Sequence, residues 1–231
     1  MSAVPGCEAL SMGGERDRTG DTPELVWYVS YGSNLSRARF MAYLEGGSVA
    51  GNDVVHEGCT DTAPPVDDVA LELPHSLYFA GWSPRVWGGT AAAFISLEAQ
   101  APSALARAYL ITRDQFVEVV RQENAGLAGV DDFDAKVERA RKLGHTRLLA
   151  TGSYCELIHC GERDGRPMLS FTAARNRRDL ARPSAAYLRV IGRGLQECHG
   201  LSSTEVVEYL RDRPGIQGKV TDSQLADLFG R

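Results

Sequence analysis

The chain has 231 residues, 43% of them apolar, with 25 basic against 30 acidic side chains and a net charge of −5. That length supports one sizeable core, or two small domains at most. The acidic balance argues against a nucleic-acid binder, which carries a basic face, and no apolar run reaches the length of a membrane span, about 18 residues or more.

Residues 1–24 are Gly-rich and polar, the pattern of a mobile tail. Their start lacks a basic stretch followed by an apolar run, so no secretory signal is expected. The five cysteines (Cys7, Cys59, Cys155, Cys160 and Cys198) show neither a zinc nor a CxxC spacing. They read as reduced thiols of a cytoplasmic protein. The histidines are scattered. Cys155 and His159 could share a strand face, but two ligands do not make a metal site, and no metal is expected.

Val26–Ser30 reads as a strand, Tyr31-Gly32-Ser33-Asn34 as a tight turn, and Leu35–Leu44 as a short helix ended by Gly46-Gly47. Gly32 tolerates backbone angles closed to other residues, and Ser33, Asn34 and Ser36 are all capping types. Such a junction leaves backbone N–H groups pointing one way, a concavity suited to a carboxylate or a developing oxyanion. The same residues also fit a plain well-capped strand–helix junction. Residues 48–70 are acidic, contain a Pro-Pro pair and show no period. They read as a long loop that either covers a cleft or is a solvated excursion.

Leu71–Ala80 reads as extended, with Pro74 at its start or edge, and Gly81-Trp82-Ser83-Pro84 as a turn. Thr90–Glu98 and Ala104–Ile111 read as strands; the second alternates poorly, as when both faces are covered. Thr112 and Gln115 then have capping-box spacing, with Ile111 and Phe116 as the hydrophobic staple. Phe116, Val119 and Val120 form the apolar stripe of that helix, and the next position on the stripe is Glu123. Burial and the negative end of the helix dipole both disfavour an ionised carboxylate there, raising its pKa towards proton-transfer chemistry near neutral pH. Fraying of the helix, or pairing with Arg121, is the alternative.

Residues 125–147 read as irregular and charged, with DDFDAKVERARKL compatible with a short helix. Leu148–Cys160 reads as a strand, GERDGRP as a turn and Met168–Thr172 as a strand. The basic run Ala174–Arg182 reads as a solvated connection, or as the source of an arginine for an anionic substrate. Pro183-Ser184 opens a helix through Tyr187, Val190 and Ile191. Ser202–Leu210 is the last predicted helix, with Ser202 and Glu205 at capping-box spacing. The expected organisation is a tail over 1–24, one domain over 25–212 and a C-terminal extension over 213–231.

Taken in order, four of these motifs resemble the γ-glutamylcyclotransferase family. They are the YGSNL turn (Tyr31–Leu35), the Gly-Gly strand WGGTAAAFI (Trp87–Ile95), the strand and helix running from Arg107 to Gln122-Glu123, and the tyrosine-led helix within Ala186–Ser202. The resemblance implies an α+β fold, a small mixed β-barrel or strongly curled sheet surrounded by helices. It implies that Tyr31, Gly32, Ser33, Asn34 and Leu35 bind substrate in one cavity with Glu123 as catalytic acid/base, and that Tyr187 stands near the pocket. The implied reaction is cyclisation of a γ-glutamyl compound to 5-oxoproline with release of an amine or amino acid. Because the substrate's own α-amine is the nucleophile, neither a cofactor, a metal nor a Ser-His pair is required. The expected partner is a small γ-glutamyl molecule, not a nucleic acid or a membrane. Asn124 stands where the family often has glycine, and the 48–70 and 125–147 segments look longer than in compact members. Both departures leave the leaving amine open, including a larger amine or natural product. A catalytically silent anion- or partner-binding module on the same fold is the alternative. The scattered histidines speak against a third reading, a metal-dependent deacylase.

Overall fold

The computed structural model of the protein describes residues 23–50, 54–84, 86–126 and 129–230. The tail expected over residues 1–24 lies outside these, except for its last two positions. The strands are β1 (Leu25–Ser30), β2 (Asp67–Ser83), β3 (Thr90–Ile95), β4 (Ser103–Thr112), β5 (His145–Arg147), β6 (Glu156–Arg163) and β7 (Arg166–Thr172). The α-helices are α1 (Arg37–Glu45), α2 (Arg113–Glu123), α3 (Phe133–Leu143), α4 (Ala185–His199), α5 (Ser203–Arg211) and α6 (Asp222–Phe229), and a 3-10 turn spans Ser33–Leu35.

The strands form one mixed sheet in the order β3-β2-β4-β1-β7-β6-β5. At its centre β1 pairs antiparallel with β4 (Val29 opposite Ala108) and parallel with β7 (Trp27 opposite Met168). Alternate β1 side chains point to opposite faces. Trp27 and Val29 therefore join one apolar core with α4, α5 and α6, while Val26 and Tyr28 join a second with α1, α2 and α3. A strand covered on both faces reads as the continuous apolar run seen in the sequence.

The sheet is strongly curled. Thr172 on β7 both accepts from the Ile95 amide (3.1 Å) and donates to the Ile95 carbonyl (2.9 Å) on β3. Those strands are four places apart, which in a flat sheet would separate them by about 19 Å. The two end strands, β3 and β5, are not paired with each other, so the barrel alternative is not realised and the α+β, curled-sheet alternative is.

Several predicted boundaries shift. β2 runs through both Pro74 and Gly81–Ser83, which the sequence reads as an edge and a turn. Pro74 falls in the register irregularity between Leu73 and Ser76, where the ladder is already interrupted. Leu148–Cys155 is a loop folded back on itself, with the Leu148 and Leu149 amides both donating to the Cys155 carbonyl. The strand begins only at Glu156. The β6–β7 turn narrows to Asp164-Gly165. Both predicted capping boxes form, at Thr112/Gln115 and Ser202/Glu205. The segment expected as an extension packs onto the core through Ile216, Val220, Leu225 and Phe229, all buried.

Candidate active site

The YGSN turn is held from beneath by α4. A Cβ at Gly194 would come within 2.5 Å of the Leu35 backbone carbon and the Ser36 nitrogen, so only glycine lets this helix lie so close. The 3-10 bonds run from Leu35 to Gly32 and from Ser36 to Ser33. They leave the amides of Gly32, Ser33 and Asn34 outside the turn's own ladder. These three residues line a small hollow of about 40 Å³ inside the curl of the sheet, between Ala93 of β3 and Ser170 and Phe171 of β7. That is room for on the order of three waters.

Glu123, the last residue of α2, lines the same hollow. Its Oε1 accepts from Asn34 Nδ2 at 3.1 Å, and the same amide reaches the Tyr28 hydroxyl at 3.1 Å. Burial holds the Glu123 carboxyl above the ordinary glutamate range; Arg39 and hydrogen bonds from Tyr43 and Asn34 only partly offset this. Arg121, the alternative partner, turns away and pairs with Glu57. Asn34 Oδ1 is buried without a partner.

Tyr31 lines the hollow and is anchored by its hydroxyl, which donates to the Phe171 carbonyl at 2.7 Å. Tyr187, in the first turn of α4, closes another wall. Its hydroxyl accepts from the Ala93 amide at 3.4 Å and also meets the Ser33 side chain. Burial and the charge of Glu123 push its phenol up to about 12. Leu35 behaves differently from the other predicted residues. Its side chain is fully buried in the core and lines neither the hollow nor the cleft outside it, and only its backbone serves the turn.

Sequence reasoning missed three contributors, Tyr154, Arg39 and His56, and named Asn124 only as a departure without a role. Tyr154 arrives on the 148–155 loop and donates its hydroxyl to the Ala93 carbonyl (3.1 Å). Asn124 places that loop, donating to the Tyr154 carbonyl (3.1 Å) and accepting from the Tyr154 amide (3.0 Å). Arg39 and His56 lie outside the hollow in a wider cleft of about 520 Å³, which shares Ser33, Glu123, Tyr154 and Tyr187 with it. Gln122, the partner of Glu123 in sequence, pins the 56–59 segment to α2. Its Nε2 donates to the Tyr43 and Gly58 carbonyls, and its Oε1 accepts from His56 Nδ1 at 3.2 Å. The 48–70 excursion thus supplies Val54 and His56 to the cleft wall. Among the described residues no three His, Cys, Asp or Glu side chains lie where they could hold a metal ion together.

No family model matches the chain. Histone deacetylase 5 of Arabidopsis thaliana is 31% identical over 201 residues, or 80% of this chain. The chain spans about 30% of the length of that curated relative. Among solved structures, a γ-glutamyl cyclotransferase aligns over 90% of this chain and 99% of its own, with a TM-score of 0.42 at 14% identity. An uncharacterized human protein aligns over the same shares with a TM-score of 0.44 at 15% identity. YkqA of Bacillus subtilis aligns over 75% of this chain and 49% of its own, with a TM-score of 0.36 at 15% identity.

Proposed function

We propose that the protein is a γ-glutamyl cyclotransferase with Glu123 as its proton carrier. The observation that carries this reading is the half-buried Glu123 carboxyl, its pKa raised by burial, lining one hollow with Gly32, Ser33 and Asn34 and held there by Asn34. The ordered resemblance of the four sequence motifs supports it independently.

In this reading the γ-glutamyl head lies where the hollow meets the outer cleft, among the four residues common to both. Glu123 takes a proton from the α-ammonium group, and the unpartnered Asn34 Oδ1 is a second acceptor for that group. The freed amine attacks the γ-carbonyl carbon and closes a five-membered ring. The oxygen, now negative, is held by first-turn amides of Gly32–Asn34. The C–N bond to the departing amine then breaks as Glu123 returns the proton to that nitrogen, and the extra proton on the ring nitrogen passes to the released amine. The products are 5-oxoproline and the free amine. Tyr28, Tyr154, Tyr187 and Phe171 wall the site, and holding amine and carbonyl in contact supplies much of the rate. Glu123 adds roughly 10²–10⁴-fold by acid–base transfer.

The test is a panel of γ-glutamyl amines and dipeptides scored for 5-oxoproline by mass spectrometry, with Glu123→Gln alongside. Glu123→Gln keeps the shape but cannot take the proton, so turnover is expected to fall by at least the acid–base factor. Full turnover in Glu123→Gln overturns the mechanism. Binding of γ-glutamyl compounds without any release marks the fold as a silent binding module instead.

A further inference from the structure

Arg39 is a buried cation facing an open cleft. Its side chain is only 4% exposed, yet it lines the outer cleft beside Glu123. Its guanidinium donates to the Tyr43 hydroxyl (3.1 Å) and to His56 Nε2, stacks over Tyr43 and Trp87, and leaves Nε buried without a partner. The fork carries more N–H donors than these two acceptors use. Both acceptors are neutral. Nε2 of His56 receives the Arg39 hydrogen bond while Nδ1 faces Gln122 Oε1, which fixes the uncharged tautomer, and burial beside Arg39 takes the imidazole down to about 4. A desolvated cation among neutral partners is costly unless an anion completes it. The carboxyl that feels its charge is Glu123, the proton carrier of the proposed reaction, whose pKa burial raises and Arg39 partly lowers.

The cleft wall combines apolar and aromatic side chains (Tyr43, Val54, Val86, Trp87) with small polar ones (Ser83, Thr90, Ser153), and the Tyr43 and Trp87 rings flank the guanidinium. Apart from Glu123, the described lining of the cleft offers a cationic leaving group no counter-charge. An apolar body bearing a carboxylate finds one in Arg39.

We infer that Arg39, braced by His56 and Tyr43, is the specificity residue for the departing half of the substrate. It receives a carboxylate on an amine whose body is apolar or aromatic. This rests on the cyclotransferase reading, because it takes the outer cleft as the leaving-group side of Glu123.

The experiment measures binding by calorimetry to the full chain carrying Glu123→Gln, so that no turnover intervenes. The two ligands are γ-glutamyl-phenylalanine and its C-terminal amide, which differ only in the charge offered to Arg39. The acid is expected to bind roughly ten- to a hundredfold tighter, the range of a charge-assisted hydrogen bond. Adding Arg39→Met should bring the ratio near one while the amide keeps its affinity. A ratio near one in the parent overturns the assignment. So does an equal loss for both ligands in Arg39→Met, since Arg39 then serves the glutamyl head. If Arg39→Met does not fold, Arg39→Lys decides: it keeps the charge without the fork, and an unchanged ratio there also overturns the assignment. Release of 5-oxoproline by the unmodified chain is read separately. Release without acid preference removes only this subsite, whereas acid preference without release removes the cyclisation.

Discussion

Asn34 Nδ2 stands 3.1 Å from Glu123 Oε1, across 89 residues of sequence. One side-chain amide therefore ties the N-terminal turn to the end of α2. Asn34→Ala removes a hydrogen bond that draws the Glu123 pKa down, so the acid limb of the kcat/KM profile should move to higher pH. The lost contacts to Glu123 and Tyr28 should also cost about 1–2 kcal/mol of stability. A pH–rate series with denaturant melts reads both effects, and an acid limb that stays put refutes the link.

The raised Glu123 pKa has a stability signature. A carboxyl whose folded pKa lies above its ordinary 4.5 binds protons more tightly when folded. Its contribution is fully present below that value and is lost as pH rises through the folded pKa. Glu123→Gln has no such loss. The variant should gain on the unmodified chain as pH climbs from about 4.5 towards neutrality, seen as a widening difference in unfolding free energy. A constant difference across that window would show that the carboxyl is not perturbed.

Two glycines of α4 separate site from scaffold. A methyl at Gly194 would meet the Leu35 and Ser36 backbone at 2.5 Å, so Gly194→Ala should push the turn away from Glu123. Loss of stability, about 1–3 kcal/mol, and loss of turnover should come together. A methyl at Gly192 would run into the Phe229 ring instead. Gly192→Ala should cost stability through α6 with a much smaller effect on turnover. Melting curves and 5-oxoproline assays on the pair distinguish the two.

Asn124 is a local staple for the 148–155 loop. Asn124→Gly, which places the residue the family often has there, frees both the Tyr154 amide and carbonyl. KM should rise severalfold while kcat changes less, because Tyr154 walls the site without exchanging a proton. A fall in kcat alone would give Tyr154 a different part.

What the sequence revealed was local. The 3.6-residue stripe of α2 ended on Glu123, and two capping boxes were visible from three-residue spacings, whereas the box at Thr221/Gln224 that opens α6 was missed. The turn was readable because Gly32 and three capping residues stand within five positions of one another. Arg39 and His56 were not readable in the same way. Each looks like an ordinary surface residue until α1 and the 54–59 segment fold against α2. The length of β2 was hidden because Pro74 and Gly81, which usually end strands, sit at an interrupted register and at a positive φ of 69° inside it. Tyr154 was hidden by a strand-like composition in a loop whose bonds run back to itself.

The stitching of β3 has a consequence for behaviour in solution. An unpaired strand edge is a template for another chain. Here the outward amides of Ala91, Ala93 and Ile95 are each taken, by the Arg182 carbonyl, the Tyr187 hydroxyl and Thr172 respectively, and Tyr154 caps the Ala93 carbonyl. The tyrosines that wall the hollow therefore also cover the edge of this strand. Replacing either with phenylalanine bares a backbone group of that edge, so a clouding sample is the first thing to look for in such variants, before any change in rate.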